Sequence, residues 1–124
     1  MPKLTDPWFE AEFYGEATVL SHRLQGNKIE GAQGLFLWCP CGYGKKEFPV
    51  EGARPHGVMI PFANPRNAPE LPECHGPTSK DGKHRPRWTM TGTGLEDLTI
   101  TPSVDVGNNS CWHGFIKNGE VSSA

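Results

Sequence analysis

Apolar residues are in short supply. They make up 35% of the chain, a low share for a globule held together by burial alone, and no stretch approaches the roughly 20 apolar residues needed to span a bilayer. Neither sign of charge dominates. Twelve Lys and Arg stand against fourteen Asp and Glu, for a net charge of −2. That leaves no basic face to displace counterions from a phosphate backbone, so nucleic acid is not an expected partner. The one basic cluster, SKDGKHRPRW at residues 79–88, carries Lys80, Lys83, Arg85 and Arg87 and reads as a solvated loop. The opening MPKLTDPWFEAEFYG has acidic and aromatic residues but not the apolar core of a secretory signal. These absences predict a cytoplasmic protein with no membrane partner. In a reducing compartment its four cysteines serve as thiols or metal ligands rather than disulfides.

Turn chemistry is abundant, with fifteen glycines and twelve prolines. At 124 residues the chain is expected to form one domain, residues 1–124, with a modest core. A core of that size commonly needs a staple such as a metal ion.

The strand pattern is legible in short pieces. Asp6 and Pro7 form a helix-start signature, N-cap followed by proline at the first helical position, so a single helical turn leading into a strand is predicted. EATVLSHRL (16–24) reads as a strand, and the glycine-punctuated stretch after it as a turn. LFLWCPCGYGKKEFPV (35–50) reads as an apolar strand, a glycine-rich cysteine knuckle and a second strand, and HGVMIPF (56–62) as another short strand. Residues 63–86 carry too many prolines, glycines and charges for regular structure and form a long irregular loop. RWTMTG (87–92) and LTITPSVDV (98–106) are strands. CWHGFI and EVSS flank Lys117, Asn118 and Gly119 as a C-terminal hairpin, because Asn-Gly supplies the left-handed residues that a two-residue turn requires. The predicted fold is mostly β: a small antiparallel β-sheet or sandwich domain with a cysteine knuckle, a long loop and a terminal hairpin.

Two constellations carry chemistry. In WCPCGYG, Cys39 and Cys41 are separated by one residue, so an extended backbone points both sulfurs to one face. With Cys111 ahead of the last hairpin and Cys74 in the long loop, the set offers thiolates for a tetrahedral zinc ion. Cys39, Cys41 and Cys111 are the primary candidates, and the fourth position lies between Cys74, His75 and His113. The structural alternative is that the cysteines are small buried hydrophobes. His22 reads as a surface or structural residue and His84 as solvated, while His56 stands at the mouth of a strand where it could line a site.

The second constellation is Ser103, stiffened by Pro102, and His113, which starts a neighbouring strand after a short loop. If the two strands pair, a hydroxyl and an imidazole come within reach of each other, as nucleophilic catalysis requires. The structural alternative is a strand serine bonded to nearby backbone and a histidine packed beside Trp112. An imidazole bound to zinc has its lone pair committed, so His113 serves as base or as ligand, not both.

As a set, CPCG (39–42), RWTMTG (87–92), LTITPS (98–103) and CWHGFIKNGEV (111–121) resemble a family of unknown-function domains. It occurs in phages and prophages and in bacterial operons for ubiquitin-like conjugation, and it includes the BubE-type serine peptidases. The resemblance implies Ser103 as nucleophile, His113 as its base, and Cys39, Cys41 and Cys111 as metal or knuckle positions. It also implies a protein or peptide substrate, such as the tail of a ubiquitin-like protein laid along a strand edge. Asp105 shares a face with Ser103 if the strand is regular, and the third catalytic member is unassigned. The alternative is a non-enzymatic, zinc-stabilised interaction module that binds a phage or host factor, with His113 as fourth ligand.

Overall fold

The computed structural model describes residues 2–16, 22–40, 57–69, 87–106 and 112–124. The strand expected after the knuckle, most of the long loop, Cys41, Cys74 and Cys111, and His56, His75 and His84 lie outside the described residues.

The chain begins with the expected helical turn, a 3-10 turn at Pro7–Phe9. Asp6 caps it by accepting a hydrogen bond from the Trp8 amide at 2.9 Å, and Pro7 occupies the first helical position. The strand that follows is β1, Glu12–Gly15. It stops before Glu16, which adopts a left-handed conformation with φ of 50°. Residues 17–21 of the strand predicted over 16–24 lie outside the described residues, and its end is β2, Arg23–Leu24. Next come β3, Gly34–Trp38, and β4, Gly57–Pro61. These form the first sheet, antiparallel throughout, in the order β2-β1-β3-β4.

The second sheet is built from β5 (Thr89–Thr91), β6 (Thr99–Val106), β7 (Trp112–Lys117) and β8 (Glu120–Ser123), antiparallel and in sequence order. Strand β7 shows why sequence alternation could place its faces: Trp112, Gly114 and Ile116 are buried while His113, Phe115 and Lys117 are exposed. The turn from β7 to β8 uses Asn118 at φ 49° and Gly119 at φ 74°, the double left-handed pair of a type I′ turn.

One hydrophobic cluster takes side chains from both sheets, including Phe13, Leu35, Leu37, Val58 and Ile60 from the first and Met90, Ile100, Val104, Trp112, Ile116 and Val121 from the second. The architecture is therefore a β sandwich in layering. Direct links reinforce it. Phe62, just after β4, and Trp88, just before β5, form a parallel bridge, with Trp88 N donating to Pro61 O at 2.9 Å and Ala63 N to Trp88 O at 2.7 Å. The Asn64 side chain then behaves like a peptide group toward β5, accepting from Met90 N at 2.9 Å and donating to Met90 O at 3.0 Å. At the opposite edge, Val121 N donates to Pro2 O at 2.9 Å and Leu4 N to Gly119 O at 2.7 Å. Both edges of the second sheet are thus partly occupied, as exposed strand edges in monomers usually are.

Candidate active site

The site is made where β6 and β7 fall out of step. Val104 faces Gly114, Asp105 faces His113 and Val106 faces Trp112, yet Ile100 faces Ile116. Four residue steps along β6, from Ile100 to Val104, therefore span the length of two along β7, from Ile116 to Gly114. The bulge holds Thr101, Pro102, joined to Thr101 by a cis peptide bond, and Ser103. Because side chains alternate with period two, an excess of two residues keeps Ile100 and Val104 both facing the core, where an excess of one would have turned one of them outward. Ser103, preceding inward-facing Val104, is half-buried on the outer side of the sheet, and exposed Asp105 and His113 share that face.

Across the bulge, Ser103 Oγ and His113 Nε2 are 3.0 Å apart, within ordinary hydrogen-bond range. For the imidazole to accept the hydroxyl proton, Nε2 must carry the lone pair, which places the ring proton on Nδ1. A hydroxyl so paired can lose its proton as it attacks an electrophilic carbon, and the imidazolium can return that proton to a leaving group. Asp105 stands directly across the ladder from His113, and both side chains are exposed. The hydrogen bond of the His113 ring goes to Ser103 and not to Asp105.

Two neighbours of the pair were not anticipated from the sequence. The Trp88 indole Nε1 donates to the Ser103 carbonyl at 3.2 Å, tying the serine backbone to the buried junction of the sheets. Phe115, two residues along β7 from His113, is 45% exposed on the same face. Exposed aromatics are visible in alternation patterns, and HGFIK carried that signal. The carbonyl that Trp88 would reach was not encoded in any spacing.

The cysteines are described only in part. Cys39 follows β3 on its inward side and is fully buried in the hydrophobic cluster. Screening from water suits a thiolate ligand of a structural zinc and equally suits a cysteine acting as a small hydrophobe. Among the described residues no group of three or more His, Cys, Asp and Glu side chains is gathered for a metal ion. His22 is exposed, as expected, with its ring edge-on to Tyr14 at 5.3 Å. No helix among the described residues is long and apolar enough to cross a membrane.

A serine hydroxyl bonded to an imidazole on a rigid strand pair is the nucleophile-and-base arrangement of serine hydrolases. Comparison with known families points to one such class. Residues 73–124 match the family model of BubE, described as a bacterial ubiquitination-like system serine protease. The resemblance to BubE-type serine peptidases read from the sequence is borne out over this part of the chain, which holds β5 to β8 and both members of the pair. No curated protein and no solved structure matches the chain.

Proposed function

We propose that this chain is a serine protease that hydrolyses a peptide or isopeptide bond at the tail of a ubiquitin-like protein. The observation that carries the reading is the 3.0 Å contact between Ser103 Oγ and His113 Nε2, within the segment matched by a serine protease family. In the proposed reaction, His113 takes the Ser103 proton as Oγ attacks the scissile carbonyl. The tetrahedral intermediate collapses with His113 returning the proton to the departing amine, an α-amine or a lysine ε-amine. Water activated by the same imidazole then hydrolyses the Ser103 ester. Pairing of the substrate with a strand edge fits less well than the sequence alone implied. Ser103 and His113 lie on the two inner strands, while the edges beyond them are engaged by Asn64 and by Pro2. A Gly-rich tail would instead cross the outer face over Ser103, with Phe115 alongside.

The same proposal includes a structural zinc held by Cys39, Cys41, Cys111 and Cys74, which supports the fold and takes no part in the proton transfers. A histidine whose Nε2 faces a serine hydroxyl favours the catalytic role of His113 over that of a zinc ligand in an interaction module.

The test is cleavage of ubiquitin-like proteins carrying a C-terminal reporter extension, followed by gel and mass spectrometry. Wild-type protein is expected to release the reporter, and Ser103→Ala to lose at least about a thousandfold in rate. Cleavage that survives in Ser103→Ala would refute the assignment.

A further inference from the structure

The tryptophan of the RWTMTG strand takes no part in the chemistry above, yet its indole is bonded to the backbone of the proposed nucleophile. We propose that Trp88 is a positioning residue for Ser103, setting where Oγ stands relative to His113. This rests on the serine protease reading.

Three features carry the inference. First, Ser103 lies where neither neighbouring strand holds it in regular register. The ladder with β7 is broken between Ile100 and Val104, and the ladder with β5 ends at the pair Thr89 and Thr101. A carbonyl at such a place needs another partner, since backbone acceptors shielded from water are rarely left unpaired. Second, that partner is the Trp88 indole N–H, at 3.2 Å. Trp88 is only 6% exposed and belongs to the core cluster. Third, Trp88 is itself fixed from the other sheet. Its amide donates to Pro61 O at 2.9 Å, its carbonyl accepts from Ala63 N at 2.7 Å, and Asn64 clamps Met90 two residues on. A continuous path therefore runs from the end of β4 through Trp88 to the Ser103 peptide.

The consequence follows from geometry. The peptide carbonyl and the side chain of Ser103 share one Cα, so rotation of the unanchored peptide would swing Oγ away from Nε2. Catalytic rates are steep in such displacements, with a misplacement of about 1 Å able to cost on the order of a hundredfold. Trp88 reaches the pair through the Ser103 carbonyl, so its loss should change how often the hydroxyl is correctly placed and not the pH at which labelling sets in.

The experiment measures the second-order rate at which a fluorophosphonate acylates Ser103, across pH, together with the melting temperature. It compares wild-type protein, Trp88→Phe, and protein with benzothienylalanine at position 88, which keeps the bicyclic shape and replaces N–H by sulfur. The expected result is a rate about tenfold or more below wild type in both variants, with the midpoint of the pH profile unmoved. The benzothienylalanine protein should melt within a few degrees of wild type. If Trp88→Phe fails to fold, the benzothienylalanine protein decides. Labelling of that protein at the wild-type rate, or a loss that only tracks loss of folded material, would overturn the positioning role alone. Wild-type protein that does not label at Ser103 would overturn the protease reading, and this inference with it.

Discussion

On the open face of a sheet, water competes for both a serine hydroxyl and an imidazole, so a hydrogen bond between them adds little to stability. The Ser103 to His113 contact is of that kind: His113 is exposed and Ser103 half-buried. Ser103→Ala should accordingly leave stability within about 0.5 kcal/mol of wild type, as surface changes generally do, while abolishing acylation by a fluorophosphonate. Denaturant unfolding of the variant beside the labelling assay checks both halves. A large loss of stability would recast Ser103 as structural. The pair could be picked out in the sequence because strand alternation confines each residue to one face, and Pro102 and Trp112 mark the strands that carry them. The tie from Trp88 could not. It joins residues fifteen apart, and the register that brings them together is broken by a bulge that no residue type announces.

Between residues and the whole, the turns decide how neighbouring strands of the second sheet meet. Asn118 and Gly119 were legible because a two-residue hairpin needs two left-handed residues and Asn-Gly tolerates them best. Gly119 is also pressed against its surroundings, where an added Cβ would lie 2.1 Å from Glu96 O. Gly119→Ala combines backbone strain with that collision and should cost about 2 kcal/mol, measurable by denaturant unfolding; an unchanged midpoint would contradict it. The loop from β5 to β6 depends instead on one carboxylate. Asp97 accepts hydrogen bonds from the Thr93 amide at 2.8 Å, the Thr93 hydroxyl at 2.9 Å and the Gly94 amide at 3.0 Å. Those bonds, led by that from the Thr93 amide, hold its pKa below the ordinary carboxylate range. A carboxylate with a depressed folded-state pKa stabilises the fold above its unfolded-state value of about 3.9, and the contribution is lost as pH falls through the folded value. Acid unfolding of Asp97→Asn should therefore show a shallower loss of stability below that point than wild type, and identical acid limbs would contradict the assignment. The break after β1 was not legible, because the left-handed backbone at Glu16 falls on a residue whose type gives no sign of it.

At the scale of the molecule, two antiparallel sheets share one core, and the composition that made the core look small also explains why polar clamps tie the layers. Asn27 accepts from Leu95 N at 2.7 Å and donates to Glu96 Oε1 at 2.6 Å, joining loops of opposite sheets. The sandwich was readable from alternation in strands such as β7. The order of the first sheet, in which β1 pairs with β3, and the junction at Phe62 and Trp88 were not, since pairing partners distant in sequence leave no local pattern. If the cysteines hold zinc as proposed, purified protein should carry about one zinc per chain, and chelation should lower its melting temperature. Metal-free protein with an unchanged melt would remove the ion from the account. The central claim is that the hydroxyl of Ser103 is activated by the imidazole of His113, and mapping the fluorophosphonate adduct by peptide mass spectrometry tests it most directly. The account predicts an adduct on Ser103 in wild-type protein and its near-complete loss in His113→Ala. An adduct on a different residue, or an undiminished adduct in His113→Ala, would contradict it.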